Sequence, residues 1–83
     1  MIINKTYTSF RREEFIEYFK EIGVQRSEGI YEGEGWEVEI GHEKNKLIGE
    51  MHFITVDLTI NVEDLIAKEF IDKLRIAFLR GGG

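Results

Sequence analysis

Residues 36–60, WEVEIGHEKNKLIGEMHFITVDLTI, decide the fold, because two strand-forming runs in this stretch can be folded back on each other with each side chain on a sensible face. A turn at Lys44 and Asn45 sets Val38 opposite Met51, Trp36 opposite Phe53 and Ile40 opposite Gly49 on one face. The other face then carries Glu39 opposite Glu50 and Glu37 opposite His52. A slip of one residue would expose Trp36, Val38 and Ile40 and bury the glutamates, so the apolar pattern argues for this register. Beyond Phe53 the alternation changes phase, and Ile54, Val56, Leu58 and Ile60 become the apolar set. A bulge near Phe53 and Ile54 keeps both sets on the core side while bending the sheet; two short strands joined by a kink are the alternative.

Toward the N-terminus, Gln25 to Tyr31 reads as a further strand, closed by the turn Glu32-Gly33-Glu34-Gly35. Pairing around Gly33 and Glu34 places Tyr31 beside Trp36 on the core face and Glu28 beside Glu39 on the outer one. The glutamates flanking these glycines argue against a phosphate loop. Ile2 to Thr8 is rich in β-branched and aromatic residues and predicts a first strand. Ser9 then caps a helix with Phe15, Ile16, Phe19 and Ile22 at helical spacing and Gly23 just past its end. Its Glu13, Glu17, Lys20 and Glu21 face reads as solvated surface. Toward the C-terminus, Asn61 caps a second helix whose stripe is Val62, Leu65, Ile66, Phe70, Leu74, Ala77 and Phe78. Asp64 to Lys68 and Glu69 to Lys73 form favourable i,i+4 pairs along it. Leu74 to Arg80 alternates and could be extended, but no breaker near Lys73 interrupts the helix.

The chain has 83 residues, 42% hydrophobic and 33% charged, which allows a single domain with a modest core. We expect it to span residues 1–80, with 81–83 as a flexible glycine tail. No cysteine is present, which excludes disulfides, thiolate metal sites and cysteine nucleophiles. The apolar runs are too short to cross a bilayer, and Met1 leads into Ile2 and Ile3 without a charged segment, so no membrane association is expected and a cytoplasmic protein is. The missing cysteine, the single Gln25 and the many glutamates suit a thermophile.

The element order is β, α, three or four antiparallel strands, then a long α, an α+β arrangement with two helices on the apolar face of a curved antiparallel sheet. That order resembles one repeat of the TATA-binding-protein-like folds; a ferredoxin-like arrangement is the alternative if 74–80 is extended. The resemblance implies nucleic-acid binding on the open sheet face. In the register above, that face carries Glu28, Glu37, Glu39 and Glu50, seven glutamates stand against two lysines between Glu28 and Glu50, and the net charge is −5. Phosphate neutralisation needs clustered Lys and Arg, so no nucleic-acid partner is expected.

The same face is the candidate for inorganic chemistry. Glu37, Glu39, Glu50 and His52 are neighbours in that register, and carboxylates with an imidazole can hold a divalent cation. The competing reading is a solvated face whose charges discourage edge-to-edge association. His42, near the hairpin tip, reads as a partly exposed histidine. These groups lie on an open surface rather than converging in a pocket, so no catalytic residue and no organic cofactor are expected.

The chain closes on Leu79-Arg80-Gly81-Gly82-Gly83. This Gly-Gly end resembles the ubiquitin-like modifiers and the small sulfur carriers of molybdopterin and thiamin synthesis. The resemblance implies that the terminal glycine carboxylate is adenylated and then conjugated or converted to a thiocarboxylate. Glycine supplies the side-chain-free tail that such chemistry requires. Those carriers are β-grasp proteins that open with a hairpin before their helix, whereas this chain runs from its first strand directly into a helix. A helix stop followed by glycines is the plainer reading.

A small non-catalytic binding or oligomerisation module is therefore the primary functional expectation, with a protein partner or self-association, a homodimer included. The sulfur-carrier reading through Gly82 and Gly83 and the cation-binding reading are its alternatives. Ile30, apolar among glutamates on the outer face, marks the expected contact surface.

Overall fold

A computed structural model describes residues 1–79. Within them the order is β1 (Ile2–Thr8), α1 (Arg12–Ile22), β2 (Val24–Ser27), β3 (Ile30–Gly33), β4 (Trp36–Ile40), β5 (Lys44–Ile48), β6 (Met51–Val62) and α2 (Asp64–Ala77). All pairings are antiparallel; the strands run β1-β6-β4-β3-β2, with β5 paired to β6 off this path. The molecule is thus α+β, with six strands where four or five were expected.

The spine is β6, a strand of 12 residues in which Val56, Leu58, Ile60 and Val62 are buried and Asp57, Thr59 and Asn61 are exposed. Both helices lie against the apolar face of the sheet. Phe15 and Phe19 from α1 and Ala67 and Leu74 from α2 join Tyr31, Val38 and Ile40 in one core. Burying that set supplies the main driving force for folding.

The register expected for residues 36–60 is corrected. Trp36 pairs with Val62, Val38 with Ile60 and Ile40 with Leu58. Lys44 and Asn45 are no turn; they begin β5, which pairs Lys44 with Thr55 through Ile48 with Met51 around Gly49 and Glu50. Three residues, Gly41 to Glu43, therefore oppose two, Val56 and Asp57, between the β4 and β5 pairings. The one-residue irregularity sits on the first limb of this long hairpin, and β6 keeps an unshifted register with β1 past Thr55. The Gly41 N–H bonds to the Asp57 carbonyl at 2.8 Å across it. Met51 is consequently 64% exposed instead of packing on Val38.

Arg12 holds the irregular segment in place. Its Nε donates to the Gly41 carbonyl at 3.1 Å, its Nη2 to the Ile40 carbonyl at 3.3 Å, and its Nη1 to Glu28 at 3.2 Å. The Arg12 backbone N–H also donates to Glu43 at 2.9 Å. One guanidinium thus satisfies two backbone carbonyls and one carboxylate, a use suited to its planar fork of donors.

Residues 25–31 divide into two strands around Glu28 and Gly29, with Gln25 opposite Tyr31 and Ser27 opposite Ile30. Gly29 has φ +75, a conformation that glycine adopts without steric cost. Tyr31 then faces Val38, not Trp36, and Glu39 faces Ile30, not Glu28. This shift of two residues preserves the assignment of faces.

The helix boundaries also move. The first helix starts from Arg11, whose N–H bonds to the Glu14 carboxylate at 2.7 Å, and Ser9 lies in the preceding turn at φ +72. Gly23 follows the helix as expected, but its backbone is extended (φ −154). A Cβ there would collide with the Glu32 carbonyl and meet the Trp36 ring at 2.6 Å, so close packing accounts for the glycine. Asn61 and Val62 belong to β6, and α2 starts from Glu63. Leu65, expected in the apolar stripe, is 98% exposed, while Ile71 takes a place against the core. Glu69 and Lys73 pair at 2.9 Å as expected, but Lys68 pairs with Asp72 at 3.0 Å and Asp64 with the Met1 ammonium at 3.3 Å. Leu74 to Ala77 are helical, against the extended reading that the ferredoxin-like alternative needed.

Candidate functional site

The C-terminal end of α2 is held by an aromatic cluster. Phe78 stacks on Phe15 with centroids 4.4 Å apart and an interplanar angle of 21°. It also lies edge-on to Phe10 at 5.3 Å and Tyr18 at 5.5 Å, and contacts Tyr7 at 5.9 Å. The Phe78 N–H bonds to the Leu74 carbonyl at 3.1 Å. Rigid anchoring therefore reaches the residue immediately before Leu79, itself 66% exposed. Burial raises the pKa of both Tyr7 and Tyr18, with Lys73 partly opposing the effect at Tyr18, so both phenols stay protonated at neutral pH. The carrier-tail residues Gly82 and Gly83 lie outside the described residues.

The four residues considered for a cation are not brought together. Glu37 pairs across to Asn61 and Glu39 to Thr59. His52 pairs with Leu47 on the far limb of the hairpin, its side chain on the opposite face from Glu37 and Glu39, and Glu50 lies in the turn. Glu37 is bound instead by Arg26 at 2.6 Å. Among the described residues no group of three or more His, Cys, Asp or Glu side chains is placed to hold a metal. Ile30 is half-buried opposite Glu39.

On the open face of the sheet, the Thr6 hydroxyl donates to Asp57 Oδ1 at 2.5 Å, and Lys44 Nζ approaches Oδ2 at 3.5 Å. The hydroxyl first, then the ammonium, hold the Asp57 carboxyl below its usual range. A carboxylate with a depressed pKa contributes stability that is present above the unfolded value and lost as pH falls through the folded one. Thr6→Val should raise the Asp57 pKa toward the ordinary value, and Lys44→Met should do so by less. A carboxyl-carbon NMR titration reads both; equal pKa values in parent and Thr6→Val would remove the hydroxyl as the cause.

The fold defines a small α+β protein whose second helix closes on an aromatic cluster at Phe78. The chain belongs to the archaeal MoaD-like protein family, whose model matches residues 3–83 and so includes the glycines. No curated protein matches it. The element order departs from the β-grasp order, since β1 leads directly into α1 and pairs antiparallel with β6. Among the described residues no helix is long and apolar enough to cross a membrane.

What the sequence reading missed is the role of Phe10, Tyr7 and Phe78 as a single cluster with Phe15. The available signal was the aromatic spacing in YTSFRREEF and the position of Phe78 just ahead of the glycines.

Proposed function

We infer that this chain is a sulfur-carrier-related, ubiquitin-like protein working through the carboxylate of Gly83. The observation that carries this reading is the family match through residue 83, which favours the carrier over the general binding module and over cation binding. In the proposed reaction, a Gly83 carboxylate oxygen attacks the α-phosphorus of ATP and expels pyrophosphate, giving an acyl adenylate. A sulfide then attacks the acyl carbon and AMP leaves, giving the thiocarboxylate directly; where the nucleophile is a persulfide, AMP leaves from an acyl disulfide, and a thiol attacks the donor's sulfur, so that the thiocarboxylate departs and the thiol and the donor end as a disulfide. The activating enzyme would supply the catalysis. The carrier contributes a chain end whose glycines offer no side chain to obstruct an active-site channel, and a base fixed by the stack of Phe78 on Phe15.

Intact mass spectrometry of protein purified from its own source tests this. A fraction of chains with one oxygen replaced by sulfur, located by fragmentation at the Gly83 carboxyl, is the expected result. Plain carboxylate throughout, together with no adenylate when the cognate activating enzyme and ATP are added, would reject the reading.

A further inference from the structure

Among the described residues the sheet ends on one side at β1, which pairs only with β6. The Ser9 N–H bonds to Ile54, and Met1 exchanges bonds with Val62, so the odd-numbered residues of β1 point their backbone groups at β6. By the alternation of an antiparallel ladder, Asn4, Thr6 and Thr8 turn their N–H and C=O groups to the other edge, where no strand of the described residues lies. β1 is seven residues long and contains no proline, bulge or acidic group, whereas the opposite edge strand β2 has four residues, all exposed, and a break in register. Beside the β1 edge runs a groove of about 750 Å³, whose walls are β1 and the last turn of α2.

The groove is apolar and cationic. Tyr7, Phe10, Phe78 and Leu79 contribute apolar surface, Lys5 and Arg75 are the charged residues, and no acidic residue lines it. Among the described residues Lys5 has no ion-pair partner, and Arg75 reaches only Asp72, at 4.0 Å on its own helix. In a chain of net charge −5 this is a local reversal of sign.

We propose that the β1 edge and its groove form a docking site for an extended segment of a partner protein, with both apolar and acidic side chains among the alternate positions that face the groove, which adds a strand to the sheet and sets a carboxylate against Lys5 and Arg75. Backbone bonds to Asn4, Thr6 and Thr8 give such a mode its affinity, and alternate side chains entering the groove give it specificity. Charge complementarity selects this occupant over a second copy. A lysine on an edge strand guards against self-pairing, and two copies would bring their Lys5 and Arg75 residues to one interface. A segment bearing a carboxylate converts that guard into a contact. The proposal is independent of what happens at Gly83, and its failure leaves the carrier reading untouched.

The test uses the full chain, ¹⁵N-labelled, titrated with a capped peptide of about seven residues in which Val and Glu take turns at every second position with Thr between them, so that one face carries both, and with the matching peptide in which Lys replaces Glu. Shifts centred on the amides of Asn4, Thr6 and Thr8 with the Glu peptide, and none with the Lys peptide, are expected. The double charge reversal Lys5→Glu with Arg75→Glu should weaken binding at least about tenfold, and added salt should weaken it in the parent. Asn4→Pro removes an outward N–H without touching the β6 ladder and should also reduce binding; spectral dispersion reports whether each variant is folded. Absence of binding, equal response to both peptides, indifference to the charge reversal, or shifts centred on β2 or on the β5–β6 turn would each overturn the proposal. Binding seen only after deletion of residues 80–83 would assign the groove to the chain's own end, and concentration-dependent shifts without peptide that the charge reversal strengthens would assign it to a second copy; both overturn it.

Discussion

Phe15→Ala should lower the unfolding free energy by about 3–5 kcal/mol, a large share of the total for a domain of this size. The side chain has no exposed surface, and three rings besides its own depend on it: Phe78 at 4.4 Å, Tyr7 at 5.0 Å and Phe10 at 5.9 Å. These come from the residue after α2, β1 and the turn between β1 and α1, so the vacated volume lies where those three segments meet α1, and none can move in without leaving its other contacts. The substitution removes both the transfer free energy of the ring and the packing of its neighbours. Leu65→Ala is the matched control: Leu65 is 98% exposed, and its loss should change stability by less than about 0.5 kcal/mol. Urea denaturation of the two variants decides the matter. A loss below about 1 kcal/mol at Phe15 would mean that the aromatic cluster is not where the core is closed.

The cluster also shows where sequence reading works and where it stops. β1 is legible to the residue because Ile3 and Tyr7 alternate with polar side chains, and Phe15 and Phe19 fall at helical spacing on a face with nothing else to bury. The faces of Trp36, Val38 and Ile40 were legible too, although their partners were not, since side-chain direction depends only on parity along a strand. The register failed for an identifiable reason. Met51 and Phe53 are apolar and alternate, so they resemble core residues, yet they belong to the end of β6 that is exposed or only half-buried. Hydrophobic residues are often exposed, and no local mark separates Met51 from Val56. The better guide was Gly49, at φ +62 in the true turn, which the expected pairing had placed inside a strand opposite Ile40. Asn61 misled in another way: its preference for helix caps competed with an alternation running unbroken from Ile54 to Val62, and tertiary pairing on both edges of β6 settled the competition. At the candidate site the anchoring of the turn at Phe78 was not legible, because it joins residues from opposite ends of the chain.

Deleting Gly82 and Gly83 should abolish adenylation by the cognate activating enzyme while leaving the unfolding midpoint unchanged. The two effects separate because they depend on different parts of the molecule. Among the described residues every buried residue of the core lies from Phe10 to Leu74, and the last ring packed against it is Phe78. Adenylation instead depends on a carboxylate oxygen reaching the α-phosphorus of ATP in line, and a chain shortened by two residues withdraws that oxygen by about 7 Å at full extension. Misplacement on that scale far exceeds what an in-line displacement tolerates. ATP–pyrophosphate exchange reads the chemistry, and thermal unfolding reads the fold. A chain with its Gly83 carboxyl converted to the amide should behave as the truncated one does, although its reach is intact, because the nucleophilic oxygen is gone. Exchange persisting in both variants would place the reacting group elsewhere and detach the glycine end from the function; exchange lost only in the amide would keep the carboxylate but reject the requirement for length. The stack of Phe78 on Phe15 gives the experiment an internal standard, since Phe15→Ala frees the base of the tail without altering its end. If anchoring matters for presentation, that variant, assayed below its unfolding transition, should retain the maximal exchange rate and raise the carrier concentration needed to reach half of it.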